Sequence, residues 1–226
     1  MAAVRVLSSW LRNAVTSDGK ISSSEEWSDA TPYDIPLDKV SGWPIRAVVQ
    51  SDKMLTAWFK NDGGWLYMLY RVAWPSGDVD PNDGAFIELF WGAYSPPWEY
   101  SDSSWIFFNQ ATFDAYGWDD TRWYGDVDAS PAGQNNVEGA ATHDGTYYWF
   151  EFRKMLRSGD GRDWNLNPGE TVGSPYAPSE SPHLLVGIWD NSIRSTYEQY
   201  VSLGLANQPG GRPPPAPTPR EMARTK

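Results

Sequence analysis

Apolar and polar residues alternate with a period of two in short runs along this chain, and Gly, Pro, Asn and Asp punctuate the runs. The pattern predicts strands joined by turns, because successive side chains of a strand point to opposite faces. Arg46 to Phe59 and Trp65 to Trp74 flank Lys60-Asn61-Asp62-Gly63-Gly64, which predicts an antiparallel hairpin with an Asp-Gly connection. In its second arm Leu66, Met68, Tyr70, Val72 and Trp74 share one face. Ala85 to Trp91 continues with apolar residues on both faces, the mark of a central strand. His143-Asp144-Gly145 leads into Thr146 to Arg153, with Tyr148, Phe150 and Phe152 inward and Tyr147, Trp149, Glu151 and Arg153 outward. Leu184 to Trp189 and Tyr197 to Leu205 close the set. A helical period is limited to a short N-terminal stretch, Val4 to Val15. The expected fold class is all-β: a two-sheet antiparallel β-sandwich with long aromatic-rich loops.

Composition sharpens this in two places. The chain holds 14 Trp, 12 Tyr and 8 Phe, and many of them crowd the span from Tyr94 to Asn136, where no clear alternation appears. A long loop this aromatic either covers a minor core or lines a binding site, and both alternatives stand on sequence alone. The other break is at Gln208. From there to Lys226 the chain carries Pro209, Pro213, Pro214, Pro215, Pro217 and Pro219 with basic Arg212, Arg220, Arg224 and Lys226, so an extended tail or linker is expected. The organisation is therefore a lead segment over 1–17, a sandwich over 18–207 and a Pro-rich tail over 208–226.

Charge and residue inventory remove several functions. A net charge of -11 disfavours a nucleic-acid partner, and the absence of an 18-residue apolar run argues against membrane insertion. With no cysteine, thiolate catalysis, Cys-ligated zinc, iron–sulfur clusters and disulfides are excluded. Asp119, Asp120, Asp126 and Asp128 are loop carboxylates without an accompanying triad or nucleophile elbow, so no enzymatic role is expected. Asp78, Asp80, Asn82 and Asp83 before Gly84 imitate the start of a calcium loop, but Gly84 and Glu88 fall one position off an EF-hand. Two alternatives remain there: a hard-cation site such as calcium in a sandwich loop, and a solvated acidic turn.

The order of segments then resembles a known family. Asp18-Gly19-Lys20-Ile21 with Glu25-Glu26-Trp27, the Trp58/Trp65 hairpin and Asp83-Gly84-Ala85-Phe86-Ile87-Glu88 resemble the opening of DOMON-like β-sandwiches. Ala140 to Phe152 looks like their central strand, Arg157 to Gly161 and Pro168 to Gly173 like the following loop, and Leu184 to Asp190 like the penultimate strand. The chain is most similar in this order to the haem-binding domains of the ethylbenzene dehydrogenase gamma-subunit type, with family 9 carbohydrate-binding modules as structural cousins. The resemblance implies an extracytoplasmic sandwich holding haem b or a sugar, although the first residues show no signal-peptide pattern.

The first implied function is a haem-b-binding electron-transfer domain with a redox partner protein. His183 would be one axial ligand, and Met68 or Met54 the other, since the family's loop methionine is missing between Trp91 and Asn136. The second is a carbohydrate-binding module for a glycan, with Trp98, Trp118, Trp123 and Trp149 as the stacking side chains. A structural or assembly protein tethered by the tail is the third.

Overall fold

The computed structural model describes residues 4–41, 47–90, 101–118, 123–125, 133–159, 163–173 and 183–210. Among them the regular elements are strands, apart from one 3-10 turn at Ser76–Asp78. Two short strands, β1 (Val4–Leu7) and β2 (Ser9–Trp10), precede β3 (Tyr33–Ser41). The expected hairpin is β4 (Ala47–Asn61) and β5 (Trp65–Ala73), and β6 (Gly84–Phe90) follows. β7 (Ser101–Phe107), β8 (Thr112–Trp118) and β9 (Trp123–Gly125) come next. A second hairpin, β10 (Val137–His143) and β11 (Tyr147–Met155), leads to β12 (Thr171–Val172), β13 (His183–Asp190) and β14 (Ser195–Gly204).

Hydrogen bonding is continuous through the order β10-β11-β5-β4-β3-β14-β13-β6-β7-β8-β9. β3 is the seam, because it pairs with β4 on one side and β14 on the other, and its register shifts between Pro36 and Asp38. Pro36 brings no N–H to the ladder, so a bulge at this point costs little and lets the sheet bend. A front layer of β10, β11, β5 and β4 thus lies over a back layer of β14, β13, β6, β7 and β8, and β10 meets β7 and β8 at the far side. Leu66, Met68, Tyr70 and Val72 of β5 and Tyr148, Phe150 and Phe152 of β11 share the core with Ala85, Ile87 and Leu89 of β6 and Leu184, Val186 and Ile188 of β13. Each Leu, Ile, Val, Met or Phe among them contributes about 1.5–3 kcal/mol of burial, and the aromatic pairs Tyr70–Phe152 and Phe59–Tyr70 meet edge to face at 5.2 and 6.0 Å.

Two expectations are corrected. The N-terminal helix is absent: β1 runs parallel to β14 and β2 parallel to β4. Its true period is two, since Val6 enters the core while Leu7 is 63% exposed. The chain then crosses the outer face of the front layer, where Trp27 and Ala30 pack on Trp58, Tyr67 and Leu69. Gly19 allows this crossing: its φ is +76°, and a Cβ there would come within 2.9 Å of the Ala141 backbone. The second correction concerns 94–136, where the described residues form three strands rather than irregular loop. The inward positions of β7 and β8 include Asp102, Ser104 and Asp114, so no apolar inner face reveals them in the sequence.

Candidate functional site

Period-two alternation in β13 sends Leu184, Val186 and Ile188 into the core and turns His183, Leu185 and Gly187 to the outer face of the back layer. Register supplies their neighbours. Leu185 lies between Tyr200 of β14 and Glu88 of β6, Gly187 opposes Phe86, Glu88 opposes Ser103, and Phe86 opposes Trp105. The outer face therefore combines aromatic Phe86, Trp105 and Tyr200 with polar His183, Glu88 and Ser103. Trp105 stacks on Phe86 with centroids 4.6 Å apart, and its Nε1 donates to Ser103 Oγ at 2.6 Å. Gly187 leaves the space for the Phe86 ring, as a Cβ there would stand 2.6 Å from its Cζ.

His183 is 1% exposed and meets Tyr200 edge-on at 5.9 Å. Among the described residues its Nδ1 has no hydrogen-bond partner. Burial lowers its pKa, so the ring is neutral at pH 7 and offers one nitrogen as donor and one as acceptor. Phe86 and Leu185 form a small second apolar cluster on this face with partly exposed Trp105 and Tyr200 packed on it, and His183, Glu88 and Ser103 are buried beside them.

Directly behind this face lies a charge cluster. Asp102 precedes Ser103 and Asp114 precedes Ala115, so both point inward, where Lys154 of β11 and Asp163 meet them. Lys154 Nζ donates to Asp102 Oδ1 at 3.0 Å, to Asp163 Oδ1 at 2.6 Å and to Asp114 Oδ1. The second oxygens are also filled: the Trp164 amide donates to Asp102 at 2.6 Å, and Asn136 donates to Asp114 and Asp163, each at 2.8 Å. The three carboxylates converge within 4.8 Å, the geometry of a cation site, and the lysine ammonium is the cation seated in it. Fully ionised, the group has two negative charges in excess. Burial accordingly pushes Asp102 up to about 6 and Asp114 up to about 7 against the pull of Lys154, while the carboxylates raise Lys154 despite its burial. The cluster ties β7, β8, β11 and the 163–164 segment together and fixes the strands that present Ser103 and Trp105.

The predicted site residues are separated by the fold. Met68 is fully buried between the layers and Met54 is 47% exposed on β4, whereas His183 faces outward from the back layer. These residues do not fit a two-sided clamp on one haem iron, because the sheet itself stands between the imidazole and Met68. The acidic loop is also self-satisfied. Asp83 accepts hydrogen bonds from Tyr148 Oη at 2.7 Å and from the Asp80 and Asn191 amides, and Asp80 accepts from Asn82 and Asn191. Asp78 lies in the 3-10 turn, while Asp80 and Asp83 tie the loop to β11 and to the turn before β14; among the described residues the carboxylates of this loop do not converge as a calcium ligand set would. Trp118 and Trp123 pair across β8 and β9 at the edge of the back layer. Trp149 lies on the outer face of the front layer, and Trp98 lies outside the described residues. Sequence reasoning missed Glu88, Ser103, Trp105 and Tyr200, and also Lys154. A signal for Lys154 existed: continuing the inward positions Tyr148, Phe150 and Phe152 by two reaches a lysine.

By sequence, no protein family and no curated protein matches the chain. Its fold is similar to solved structures of a family 9 carbohydrate-binding module from Caldicellulosiruptor kristjanssonii. The complex with glucose superposes with a TM-score of 0.55 at 15% identity, covering 93% of this chain and 100% of that one. The complex with cellotriose gives 0.53 at 13% identity, with 94% and 100% covered. The likeness shows the fold: a β-sandwich similar to that of these modules. This overturns the expectation of a haem-b electron-transfer domain, which also fails on the opposed directions of His183 and Met68.

Proposed function

We propose that the protein is a carbohydrate-binding domain that holds a short neutral saccharide on the outer face of β13, β6 and β7, a binding role rather than a catalytic one. The observation that carries this reading is the Trp105–Phe86 stack beside His183, Glu88 and Ser103, on the face of the back layer turned away from the main core, where Trp105 and Tyr200 are the partly exposed rings over buried Phe86 and Leu185. Aromatic rings take the apolar face of a pyranose, while the imidazole and carboxylate exchange hydrogen bonds with its hydroxyls. The similar modules are described in complex with glucose and cellotriose, which makes these the first ligands to test. Such a role also accords with work outside the cytoplasm. Titration calorimetry with cellotriose should give saturable binding, and Trp105→Ala should weaken it at least tenfold at unchanged fold. Failure of the wild type to bind any of a panel of neutral oligosaccharides, or full binding by Trp105→Ala, would overturn the assignment.

A further inference from the structure

The outer face of the opposite layer carries a second arrangement of rings around a cation. In β5, Arg71 is flanked in register by Trp149 of β11 and Thr56 of β4. Its guanidinium carbon is 5.5 Å from the Trp149 ring centroid, 5.1 Å from that of Tyr147 and 5.7 Å from that of Trp58. Trp58 and Trp149 are themselves stacked at 6.3 Å. The N-terminal segment covers the lower part of this face and leaves Arg71, Tyr147 and Trp149 half-buried, beside exposed Met54.

The same face shows what an arginine so placed does with a carboxylate. Arg153 lies 4.4 Å from the Trp65 centroid and 5.9 Å from that of Tyr67, and donates through Nε at 3.0 Å and Nη2 at 2.6 Å to Glu138 on the neighbouring strand. Arg71 repeats the ring-flanked guanidinium without the acid. The β10 residue opposite Trp149 is Thr142, whose hydroxyl is committed to Gly19 O. Among the described residues, no carboxylate is within ion-pair distance of Arg71. The two nearby acids are held by neutral donors: Asp34 accepts from Thr56 Oγ1 at 2.9 Å and Asp144 from Trp149 Nε1 at 2.8 Å. Arg71 spends one donor, Nη2, on Thr56 Oγ1 at 3.2 Å, and the rest of its planar fork matches a carboxylate.

We propose that this shelf is a second ligand site, for a sugar ring bearing a carboxylate, with Arg71 binding the acid and Trp149 and Tyr147 contacting the ring. The net charge of -11 selects a short oligouronate over a long polyanion, which the body as a whole would repel. The site is independent of the neutral-saccharide face, and one set of titrations separates them. Trigalacturonate, its fully methyl-esterified form and cellotriose would each be titrated into wild type, Arg71→Gln, Arg71→Lys and Trp105→Ala, with thermal melts as the folding control. The expected result is saturable binding of trigalacturonate, at least tenfold weaker for the ester and for Arg71→Gln, weakened less for Arg71→Lys, and unchanged in Trp105→Ala. Cellotriose should neither compete with trigalacturonate nor respond to Arg71→Gln. Absence of trigalacturonate binding, equal binding of acid and ester, or loss through Trp105→Ala instead of Arg71→Gln would overturn the proposal, whatever cellotriose does.

Discussion

Replacing Lys154 by methionine tests the account of the buried cluster most directly. The substitution keeps the length of the side chain on β11 but deletes the ammonium that three carboxylates share. Of the hydrogen bonds to the six carboxylate oxygens described above, the three from Trp164 and Asn136 would remain, and the charge excess would rise from two to three. In chelator-treated buffer, where no metal ion can take the place of the ammonium, the folded state responds by binding protons. A carboxyl whose ordinary pKa is 3.8 costs about 4 kcal/mol to hold neutral at pH 7, at about 1.4 kcal/mol per pH unit. One further proton therefore predicts a loss of about 4 kcal/mol, within the range of about 3–5 kcal/mol found when a buried pair is left with one partner. The sign follows by linkage. The native variant binds more protons than its unfolded chain above pH 3.8, so its stability relative to wild type should recover as pH falls, by about 1.4 kcal/mol per unit and proton. Urea denaturation of both proteins at pH 7.5 and pH 5.5 measures this. A loss below about 1 kcal/mol, or one of equal size at both pH values, would refute the reasoning.

Wild-type stability should itself fall as pH rises from 4.5 to 7.5, because burial raises Asp102 to about 6 and Asp114 and Glu151 to about 7, and the unfolded chain releases those protons earlier. A thermal midpoint that stays flat or climbs over that range would contradict it. Glu151→Gln should lose about 1–3 kcal/mol at pH 5.5, because its amide turns a donor toward groups that already donate, the Asp18 and Gly19 amides and Trp27 Nε1, and less at pH 8, where the wild type must hold its buried carboxyl ionised; chemical denaturation at the two pH values decides. Gly187→Ala should cost about 1–3 kcal/mol and weaken cellotriose binding together, since its Cβ would press on Phe86 and on Tyr197 O at 2.5 Å. Stability lost with binding intact would show that the Phe86 ring does not set the ligand face. Met68→Ala should cost about 2–5 kcal/mol as a cavity in the core, and a nearly neutral melt would place it elsewhere.

Most of the layer structure was legible because strands with one apolar face write it directly into the chain. The β4–β5 hairpin, the inward row Tyr148, Phe150 and Phe152, and the β13 and β14 strands all follow from a period of two and an Asp-Gly turn. What stayed hidden was hidden for a physical reason. β7 and β8 turn Asp102, Ser104 and Asp114 inward and aromatic Trp105, Phe107 and Phe113 outward, the reverse of the expected apolar side, and the arrival of Lys154 from β11 is what makes the two aspartates buriable. That partner is 40 or more residues away in sequence, and no local pattern announces it.

The candidate ligand face divides in the same way. Sequence by itself determined that the chain is a sandwich rich in outward-facing aromatic residues, and that His183 begins an inner strand beside apolar Leu184. Which rings share a face was decided by register alone: Trp105 meets Phe86 because β7 pairs with β6, and Trp149 meets Arg71 on the far side because β11 pairs with β5. Alternation fixes the side of a strand a residue takes, but strand order fixes its neighbours. That order is set by non-local hydrogen bonds and by the bend at Pro36 in β3, which folds one continuous sheet into two layers.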